Sequence, residues 1–414
     1  MPELRFPEFE EAWVEKSLGE VYSFKSTNSF SREKLNYESG SIKNIHYGDI
    51  HTKFKTHFDI KAEWVPFINQ DVDTSKIPGD YFIQEGDLVI ADASENYADI
   101  GKTIEIINVN KEKIVAGLHT FLARRKDDSP VVGFGGHFMK SFRLRLDIMR
   151  IAQGTKVLSI STSRLANIII NLPPPLEQQK IATFLTAVDK RIRLLQAKKI
   201  NLEIYKKGVM QKLFSQALRF KDDDGRDFPD WVEKRLGEVG DFIGGGTPDS
   251  SREDYWNGDI PWISSSDIKD GKIQEIEISR FITKEAIKES ATKLVPKNSI
   301  LIVSRVGIGK FAVAPEELCT SQDFTNLITK ENSFFLAYLF QIKVNLFFRL
   351  SQGTSIKGFT GKDLQNLKLL IPSIHEQQKI ATFLTALDGA IDQIGQQVDA
   401  AQVYKYGLLQ KMFV

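Results

Sequence analysis

The side chains best suited to bind a ligand in the first half of the chain are basic, aromatic and amide groups in two clusters. The first contains Lys43, Asn44, His46, Tyr47, His51 and Lys53, and the second contains Ser94, Asn96 and Tyr97. Such side chains can donate to phosphates or pair with base edges. These residue types predict a nucleic-acid contact, with loop residues that only face solvent as the open alternative.

The second half carries a comparable set in glycine-rich and serine-rich stretches. Its candidate DNA-binding residues are Gly245, Gly246, Thr247, Ser264, Ser265, Ser266, Ser304, Arg305 and Gln322. We expect the glycines to let a ligand approach the backbone closely, because they have no Cβ. The alternative is that they only make turns. Trp256 and Trp262, which flank this region, are expected to pack the core, since aromatic side chains dominate protein cores.

No catalytic centre is visible in the sequence. Residues 306–310 (VGIGK) lack the spacing and the final Ser or Thr of a phosphate-binding loop, and no GxGxxG follows a strand. Residues 171–174 (NLPP) resemble the Asn-Pro-Pro motif of amino-methyltransferases, but the inserted leucine favours a helix entry. The histidines lack zinc-site spacing. We therefore expect no catalytic residue, no metal and no cofactor in this chain.

Composition limits the class of protein further. The 414 residues carry 55 Lys and Arg against 54 Asp and Glu, a net charge of +1, so any DNA-binding surface must be a local patch. A single cysteine, Cys319, rules out an internal disulfide. No apolar run approaches the roughly 18 residues that span a membrane. The N-terminus lacks a signal-peptide pattern. We expect a cytoplasmic protein with no membrane contact.

The chain contains the same scaffold twice. EQQKIATFLTA occurs at 177–187 and again at 376–386, an offset of 199. Across 173–214 and 372–413, 20 of 42 positions are identical, which indicates duplication of a whole domain. Further matches are QGT at 153–155 and 352–354, and WVEK at 13–16 and 231–234.

A long helix is predicted at the end of each half. Apolar residues recur at steps of three and four, at Ile181, Leu185, Val188, Ile192 and Leu195, and continue from Ile380 to Met412 in the second copy. This is the pattern of a coiled-coil seam, about 38 residues and ~57 Å long in each copy. Lys206 and Lys405 interrupt the same heptad position. The first helix carries a net charge of +6 and the second −1, so the first helix faces phosphates or an acidic partner, or simply water.

These features predict an α+β fold. The features indicate two compact mixed α/β domains with exposed loops, and two long helices that would most simply bury their seams against each other. The predicted segments are a first domain at 1–152, a region with the first helix at 153–217, a linker and second domain at 218–351, and a region with the second helix at 352–414. Short β-rich runs at 87–91 and 299–303 are predicted strands.

The chain resembles the specificity subunit of a type I restriction–modification system over essentially its whole length. The resemblance rests on the duplicated blocks QGT…EQQKIA…YKKGVMQKLF and QGT…EQQKIA…YKYGLLQKMF, and on the domain opening GGGTPDSSREDYWNGDIPWISSSDI in the second half. The first half lacks this opening, since residues 25–50 contain neither GGTP nor YW.

The resemblance implies two mixed α/β target recognition domains joined by two long antiparallel coiled-coil helices with pseudo-two-fold symmetry. It also implies a non-catalytic DNA-recognition subunit. Each domain would read one half of an interrupted, asymmetric site in double-stranded DNA, and the helices would set the spacing and dock two methyltransferase subunits. S-adenosylmethionine, ATP and Mg would belong to the methyltransferase and restriction subunits of the complex. Three alternatives stay open on the residues alone: a coiled-coil scaffold that binds proteins, a self-contained methyltransferase or nuclease, and an orphan specificity subunit.

Overall fold

The computed structural model describes residues 2–25, 27–351 and 358–413. The chain divides into two compact units. The first unit consists of Met1–Ala197 with Gly395–Val414, and the second of Lys198–Ile394. Each unit therefore contains a sheet-bearing domain and part of both long helices. The second QGT tripeptide, at 352–354, lies outside the described residues, and the four predicted segments stay a prediction about domain bounds.

The first unit is built from short strands and five short helices before its long helix. Its strands are β1 (Val14–Ser17), β2 (Tyr22–Lys25), β3 (Leu35–Asn36), β4 (Lys43–Ile45), β5 (His57–Asp59), β6 (Phe67–Ile68), β7 (Leu88–Ala91), β8 (Ala93–Ser94), β9 (Thr103–Asn108), β10 (Ile114–Ala116), β11 (Thr120–Arg125), β12 (Leu158–Ser159) and β13 (Ile169–Leu172). Its short helices are α1 (Leu18–Val21), α2 (Tyr47–Thr52), α3 (Gly135–Phe138), α4 (Phe142–Ile151) and α5 (Thr162–Ala166).

These strands form two main sheets and two small ones. A five-stranded sheet has the order β2-β11-β7-β9-β5, and a four-stranded sheet has the order β10-β4-β6-β3. β1 pairs with β13 and β8 pairs with β12, both antiparallel. The central strand β7 is buried along its whole length, which confirms the strand predicted at 87–91. One of its faces lies in the hydrophobic cluster around Leu88 and Ile90, and the other in the cluster around Val89 and Ala91.

The second unit repeats this plan with different lengths. Its strands are β14 (Val232–Arg235), β15 (Gly240–Gly244), β16 (Ile260–Ile263), β17 (Arg280–Ile282), β18 (Leu294–Val295), β19 (Ile300–Ile302), β20 (Phe311–Val313), β21 (Leu318–Thr320), β22 (Thr325–Thr329) and β23 (Lys368–Ile371). Its short helices are α7 (Leu236–Val239), α8 (Lys284–Glu289), α9 (Ser333–Ile342), α10 (Val344–Leu350) and α11 (Gly361–Gln365). The sheet orders are β15-β22-β19-β20, β17-β16-β21-β18 and β14-β23. Trp262 is buried and packs edge-to-face on Trp256, as the sequence predicts.

The two predicted long helices are α6 (Pro175–Phe214) and α12 (Ile374–Lys411), 40 and 38 residues long. In the first unit, Ile181 and Leu185 near the start of α6 share a hydrophobic cluster with Leu408 and Met412 near the end of α12. In the second unit, Leu213 near the end of α6 shares a cluster with Ile380 and Leu384 near the start of α12. The helices are therefore antiparallel, which confirms the arrangement that the family resemblance implies.

The repeated glutamate at the start of each long helix fixes that helix to its own domain. Arg5 donates from Nε and Nη2 to the two carboxylate oxygens of Glu177, both at 2.8 Å. Arg219 makes the same bidentate contact with Glu376, at 3.1 and 2.8 Å. Both carboxylates also accept a tryptophan Nε1–H at 3.2 Å, from Trp13 and Trp231. The EQQ repeat is therefore explained by packing of the scaffold.

The glutamine after each of these glutamates binds a backbone segment of the adjoining domain. Oε1 of Gln178 accepts the N–H of Val131 at 2.9 Å, and Oε1 of Gln377 accepts the N–H of Asn332 at 2.9 Å. Each Nε2 donates to the carbonyl of the proline five residues earlier. Divergent domains are thus held by identical helix-start contacts.

Within the described part of the chain, no single helix is both long enough and apolar enough to cross a membrane. Only α9 and α10 together reach the required apolar length, and they are bent by 73° at the break between them.

Candidate nucleic-acid interface

In the first unit the polar loops meet at one end of the five-stranded sheet. β7 and β9 are antiparallel neighbours, so the loop that joins them, with Ser94, Asn96 and Tyr97, lies at this end. Lys102 closes the loop and donates from Nζ to the carbonyl of His51 at 2.5 Å. This contact brings α2 beside the loop. The structure therefore joins the two clusters of candidate residues, which are about 50 positions apart in sequence.

Tyr47 is surrounded by imidazole rings at this end of the sheet. Its ring centroid lies 4.6 Å from His46, 5.6 Å from His51 and 5.3 Å from His119. Tyr47 and His51 are half-buried, and the His119 side chain is half exposed. The cluster offers an aromatic surface with hydrogen-bonding edges, a combination suited to stacking or to contacts with base edges.

Three of the sequence-predicted residues lie inside the unit. Asn44 is fully buried and accepts a hydrogen bond from Nδ2 of Asn28 at 2.8 Å. His46 caps α2, since its Nδ1 accepts the N–H of Gly48 at 3.2 Å, and burial lowers its pKa to about 4. Ser94 is buried and its Oγ accepts the N–H of Asn96 at 3.2 Å. These contacts commit Oδ1 of Asn44, Nδ1 of His46 and Oγ of Ser94 to the framework of the unit, and a DNA contact by these residues stays a prediction.

The two candidate lysines are separated. Lys43 lies at the start of β4, where its Nζ is 2.6 Å from Glu112, at the end of the strands opposite to Tyr47. It is therefore not part of the cluster. Lys53 is exposed at the end of α2, with Nζ 2.9 Å from Asp49 and 3.2 Å from the Tyr37 hydroxyl. Among the candidate residues from the sequence, Lys53, Asn96 and Tyr97 are exposed at the interface, beside the half-exposed His119.

In the second unit the close approach at Gly245 and Gly246 is made by the chain itself. A Cβ on Gly245 would lie 2.0 Å from the carbonyl oxygen of Ser321, and one on Gly246 would lie 2.4 Å from the carbonyl carbon of Ala291. The Gly246 N–H donates to the Thr320 carbonyl at 2.8 Å. Glycine is therefore needed at both positions for close packing of the chain on itself, and a ligand contact at these glycines stays a prediction.

Thr247, Arg305 and Gln322 form the exposed part of the second candidate interface. Oγ1 of Thr247 donates to Oε1 of Gln322, which joins the loop after β15 to the loop after β21. An open cavity of about 550 Å³ lies beside them and is lined by Arg305, Val306, Gln322, Asp323, Phe359 and Thr360. A guanidinium and an amide are the groups that make paired hydrogen bonds to guanine and adenine edges.

The serine cluster 264–266 is partly committed to its own turn. The backbone N–H of Ser264 donates to Asp267 at 2.7 Å, and its Oγ is 2.8 Å from Ser266 Oγ. Arg280, which the sequence reasoning missed, donates to Ser264 Oγ at 2.8 Å while its guanidinium stacks 4.6 Å from the Trp262 ring. Ser266 is exposed, and Ser265 is half-buried.

Ser304 differs from these serines, because it is buried and hydrogen-bonded within the unit. Its Oγ donates to the carbonyl of Asp323 at 3.1 Å and accepts from Oγ1 of Thr325 at 3.0 Å. The structure therefore assigns Ser304 to the framework that supports Arg305.

A Gly-Lys pair supports the candidate loops in both units. Gly101 and Gly309 have φ values of +66° and +101°, a region that favours glycine. The next residue in each unit reaches back to a loop carbonyl: Lys102 Nζ to His51, and Lys310 Nζ to Ser265 at 3.1 Å. The same Gly-Lys pair therefore supports loops whose sequences differ between the two units.

Three arginines that the sequence reasoning missed line an open groove on the first unit. Arg143 and Arg150 lie on α4 and Arg164 lies on α5, and all three are exposed. The spacing of seven residues between Arg143 and Arg150, with Asp147 between them, is the signal that could have identified one charged helix face.

The whole pattern agrees with a known family of proteins. A family model described as the type I restriction modification DNA specificity domain matches residues 10–204 and 229–400. The two matches cover both halves of the chain, each with its recognition domain and most of its long helix.

Individual relatives carry the same description. The chain is 35% identical over 209 residues to the type I restriction enzyme MjaIX specificity subunit of Methanocaldococcus jannaschii, covering 49% of this chain and 48% of that one. It is 34% identical over 189 residues to the EcoR124I/EcoR124II specificity subunit of Escherichia coli, covering 43% and 45%. These alignments span about half of each relative. A third relative, the putative MjaX specificity subunit of M. jannaschii, is 27% identical. This alignment covers 91% of this chain and 86% of that one.

Solved structures share the fold over the full length. The type I restriction–modification S subunit from M. genitalium aligns with a TM-score of 0.58 at 16% identity, covering 100% of this chain and 99% of that one. A chain from a structural study of complex assembly in a type I restriction–modification system aligns with a TM-score of 0.57 at 19% identity, covering 97% of both.

Proposed function

Because the chain belongs to the family of type I restriction modification DNA specificity domains, we propose that it selects the DNA sequence on which a type I restriction–modification complex acts. Each unit reads one half of an interrupted, asymmetric site. The observation that carries the proposal is the duplication itself. One framework occurs twice, with the same helix anchors and the same Gly-Lys support, and it presents different exposed loops in each copy.

The exposed side chains are suited to reading bases. Arg305 presents a guanidinium that can donate two hydrogen bonds to guanine in the major groove. Gln322 and Asn96 carry amides that can pair with adenine. Because these residues belong to divergent loops, the two units recognise different half-sites. The cytoplasmic compartment expected from the sequence is part of the same proposal.

Catalysis belongs to partner subunits in this proposal. Methyltransferase subunits, two in number, bring S-adenosylmethionine and extrude the target adenine from the duplex, as chemistry on a base requires. Restriction subunits bring ATP and Mg for translocation and cleavage. This chain supplies the position on DNA and holds no cofactor of its own.

An apolar pair retained on both long helices supports the docking of two equivalent subunits. Ile204 and Tyr205 on α6 are 64% and 52% exposed, and the aligned Val403 and Tyr404 on α12 are 72% and 57% exposed. The six residues before each pair share no identity. Exposed apolar side chains are common singly, but retention of the same pair at the same register favours a binding role.

The long helices set the distance between the half-sites in this proposal. A helix of 40 residues is ~60 Å long, and half-sites one turn apart on the same face of DNA are separated by ~34–36 Å. A continuous helix shared by both units is therefore long enough to hold such a spacing.

The experiment that tests the proposed function is a map of N6-methyladenine across a host genome. The host expresses the methyltransferase partner with or without this chain. Loss of one two-part motif when the chain is deleted is the expected result. Persistence of every methylated motif contradicts the proposal and favours a protein-binding scaffold.

A further inference from the structure

The groove lined by Arg143, Arg150 and Arg164 has the properties of an anion-binding surface. It is open, with a volume of about 590 Å³, and its polar lining is completed by Asp147 and Asn167. The Arg143 and Arg150 side chains are 67% and 66% exposed. Three guanidinium groups against one carboxylate leave a formal charge of 3 − 1 = +2 in this groove.

Asp147 forms ion pairs with both arginines of α4 and so holds them on one face of the helix. Its Oδ2 accepts from Arg143 Nε at 3.3 Å and its Oδ1 accepts from Arg150 Nη1 at 2.9 Å. Arg164 reaches the groove from α5 and donates to the Ile151 carbonyl at 3.4 Å. A guanidinium has five N–H donors, so each arginine keeps donors for an anion. Bidentate binding of phosphate is the interaction that arginine favours.

The groove adjoins the loops of the first candidate interface through α4. On the other side of this helix, Arg145 Nη2 donates to the carbonyls of Tyr97 at 3.4 Å and Ala98 at 3.2 Å. After Ile151 the chain enters a hairpin whose strand β12 pairs with Ser94. The groove is thus about one helix width, ~10 Å, from the loop that carries Asn96 and Tyr97. Along one DNA strand this distance equals about three base pairs at 3.4 Å each.

We infer that this arginine groove binds backbone phosphates of the DNA that flanks the half-site read by the first unit. The inference rests on the proposed function. It adds a contact that carries no sequence information and strengthens binding on one side of the site. Ile151, Ile168 and Ile169 complete the lining, so the preference for DNA over a protein partner rests on the three arginines. Their guanidinium groups are suited to phosphate, whereas the centre of a protein interface is depleted of charge.

The sequence of the second half does not repeat the charged residues that line the groove. At the offset of 199, Arg143, Asp147 and Arg164 align with Ile342, Leu346 and Asp363. Only Arg150 has a basic counterpart, Arg349. The phosphate contacts are therefore asymmetric, and they flank the half-site of the first unit alone.

The test compares two variants that each lose three positive charges in the first unit. The first is R143A/R150A/R164A, in the groove. The matched control is K61A/K111A/K113A, whose lysines are exposed at the opposite end of β9 from Lys102. Each is assembled with its methyltransferase subunits, and binding to a duplex with the recognition site is measured at several salt concentrations. Ethylation interference then maps the phosphates that matter.

The groove variant is expected to lower the slope of log K against log[salt] by about 2 to 3, since each phosphate contact contributes ~0.9. The methylated motif stays the same, and interference disappears only beside the first half-site. R143K/R150K/R164K keeps most of the slope, which separates lost charge from a folding defect.

Four results would overturn the inference. One is a slope change no larger than that of the lysine control, and a second is a change in the preferred bases. A third is loss of a methyltransferase subunit from the groove variant, which would assign the groove to a protein partner. The fourth is failure of the unmodified complex to bind any specific site, which alone would also contradict the proposed function.

Discussion

Lys206 on the first long helix lies 2.5 Å from Asp388 on the second, measured from Nζ to Oδ1. In the duplicated pair the helices are reversed: the lysine is Lys405 of the second helix, and it lies 2.5 Å from Asp189 of the first. Each pair belongs to one unit. The lysines that interrupt the hydrophobic seam therefore bind the opposite helix, which fixes both the register and the antiparallel direction.

These pairs allow the spacing role of the helices to be tested without breaking their register. We predict that deletion of residues 190–203 together with the aligned residues 389–402 shortens the unread spacer of the methylated motif. Each deletion removes two heptads, ~21 Å of helix, and leaves both ion pairs and the seam phase in place. Methylome mapping gives the spacer length. An unchanged spacer, with both half-sites still methylated, would show that the helices do not set the distance.

The exposed pairs on the helices give a prediction about subunit docking. Tyr205→Asp should weaken binding of one methyltransferase subunit by about 2 kcal/mol, roughly thirtyfold, because a charge would enter the centre of the interface. Tyr404→Asp should do the same for the other subunit. Asn201→Asp adds the same charge to an exposed site on α6 and is the control. Native mass spectrometry reports the subunit count. Full occupancy in both tyrosine variants would remove this surface from the account.

A buried cluster of titratable groups connects the first domain to its helix pair. His137 is fully buried, with its ring centroid 4.4 Å from that of His57. His57 Nε2 lies 3.6 Å from Glu105, and His137 Nδ1 lies 4.0 Å from Asp189. Burial lowers the pKa of His137 to about 2 and also lowers the pKa of His57, with nearby positive charge from Lys405. In the second unit the buried hydroxyl of Tyr338 contacts Asp388 instead, at 2.6 Å.

The histidine cluster predicts that the first unit loses stability in acid. Below pH 6.5 the unfolded chain binds a proton at His137 that the folded chain does not bind, so stability falls as the pH falls. Glu105, whose pKa burial raises to about 7, acts in the opposite direction between pH 7 and 4.5. Lys140, with a pKa lowered by burial to about 8, titrates above this range.

In the variant His137→Gln, the unfolded chain no longer binds a proton at position 137. The slope of the free energy of unfolding against pH should therefore fall by about 1.4 kcal/mol per pH unit between pH 6 and 5. The amide keeps a hydrogen-bonding group beside Thr186, which His137 Nε2 approaches at 3.3 Å. Hydrogen exchange of α3 at several pH values measures the effect. An identical slope in the variant and the parent would mean that His137 is not the group responsible.

Much of the scaffold could be predicted from sequence because its signals are local. The steps of three and four from Ile181 and the repeated EQQ identify two helices and a duplication without any knowledge of tertiary contacts. The strand β7 is likewise recognisable as a short apolar run.

The interface was harder to predict, since residue type does not say which way a side chain points. Asn44 and Ser304 have the chemistry of DNA-binding residues but are buried within their units, and Gly246 packs against Ala291. The spacing of Arg143 and Arg150 could indicate one charged helix face, but only the structure shows that Arg164 of α5 lines the same groove.

The exposed side chain of Arg305 gives a prediction about base reading. Arg305→Ala should relax one base position in the half-site of the second unit, at a cost of about 1–3 kcal/mol for the cognate base, if the guanidinium pairs with guanine. Ser304→Ala probes the buried support and should weaken binding without changing the motif. Selection of bound duplexes from a random library measures both. A uniform loss over all sequences would identify Arg305 as a phosphate contact.

Exchange of one recognition domain tests whether each unit reads its own half-site. Residues 240–351 are replaced by the aligned segment of a specificity subunit that directs a different motif, and N6-methyladenine is mapped in a host with the methyltransferase partner. We expect one half of the motif to change to that of the donor while the other half stays. A motif in which both halves change, or neither, would contradict the claim that each unit reads its own half-site.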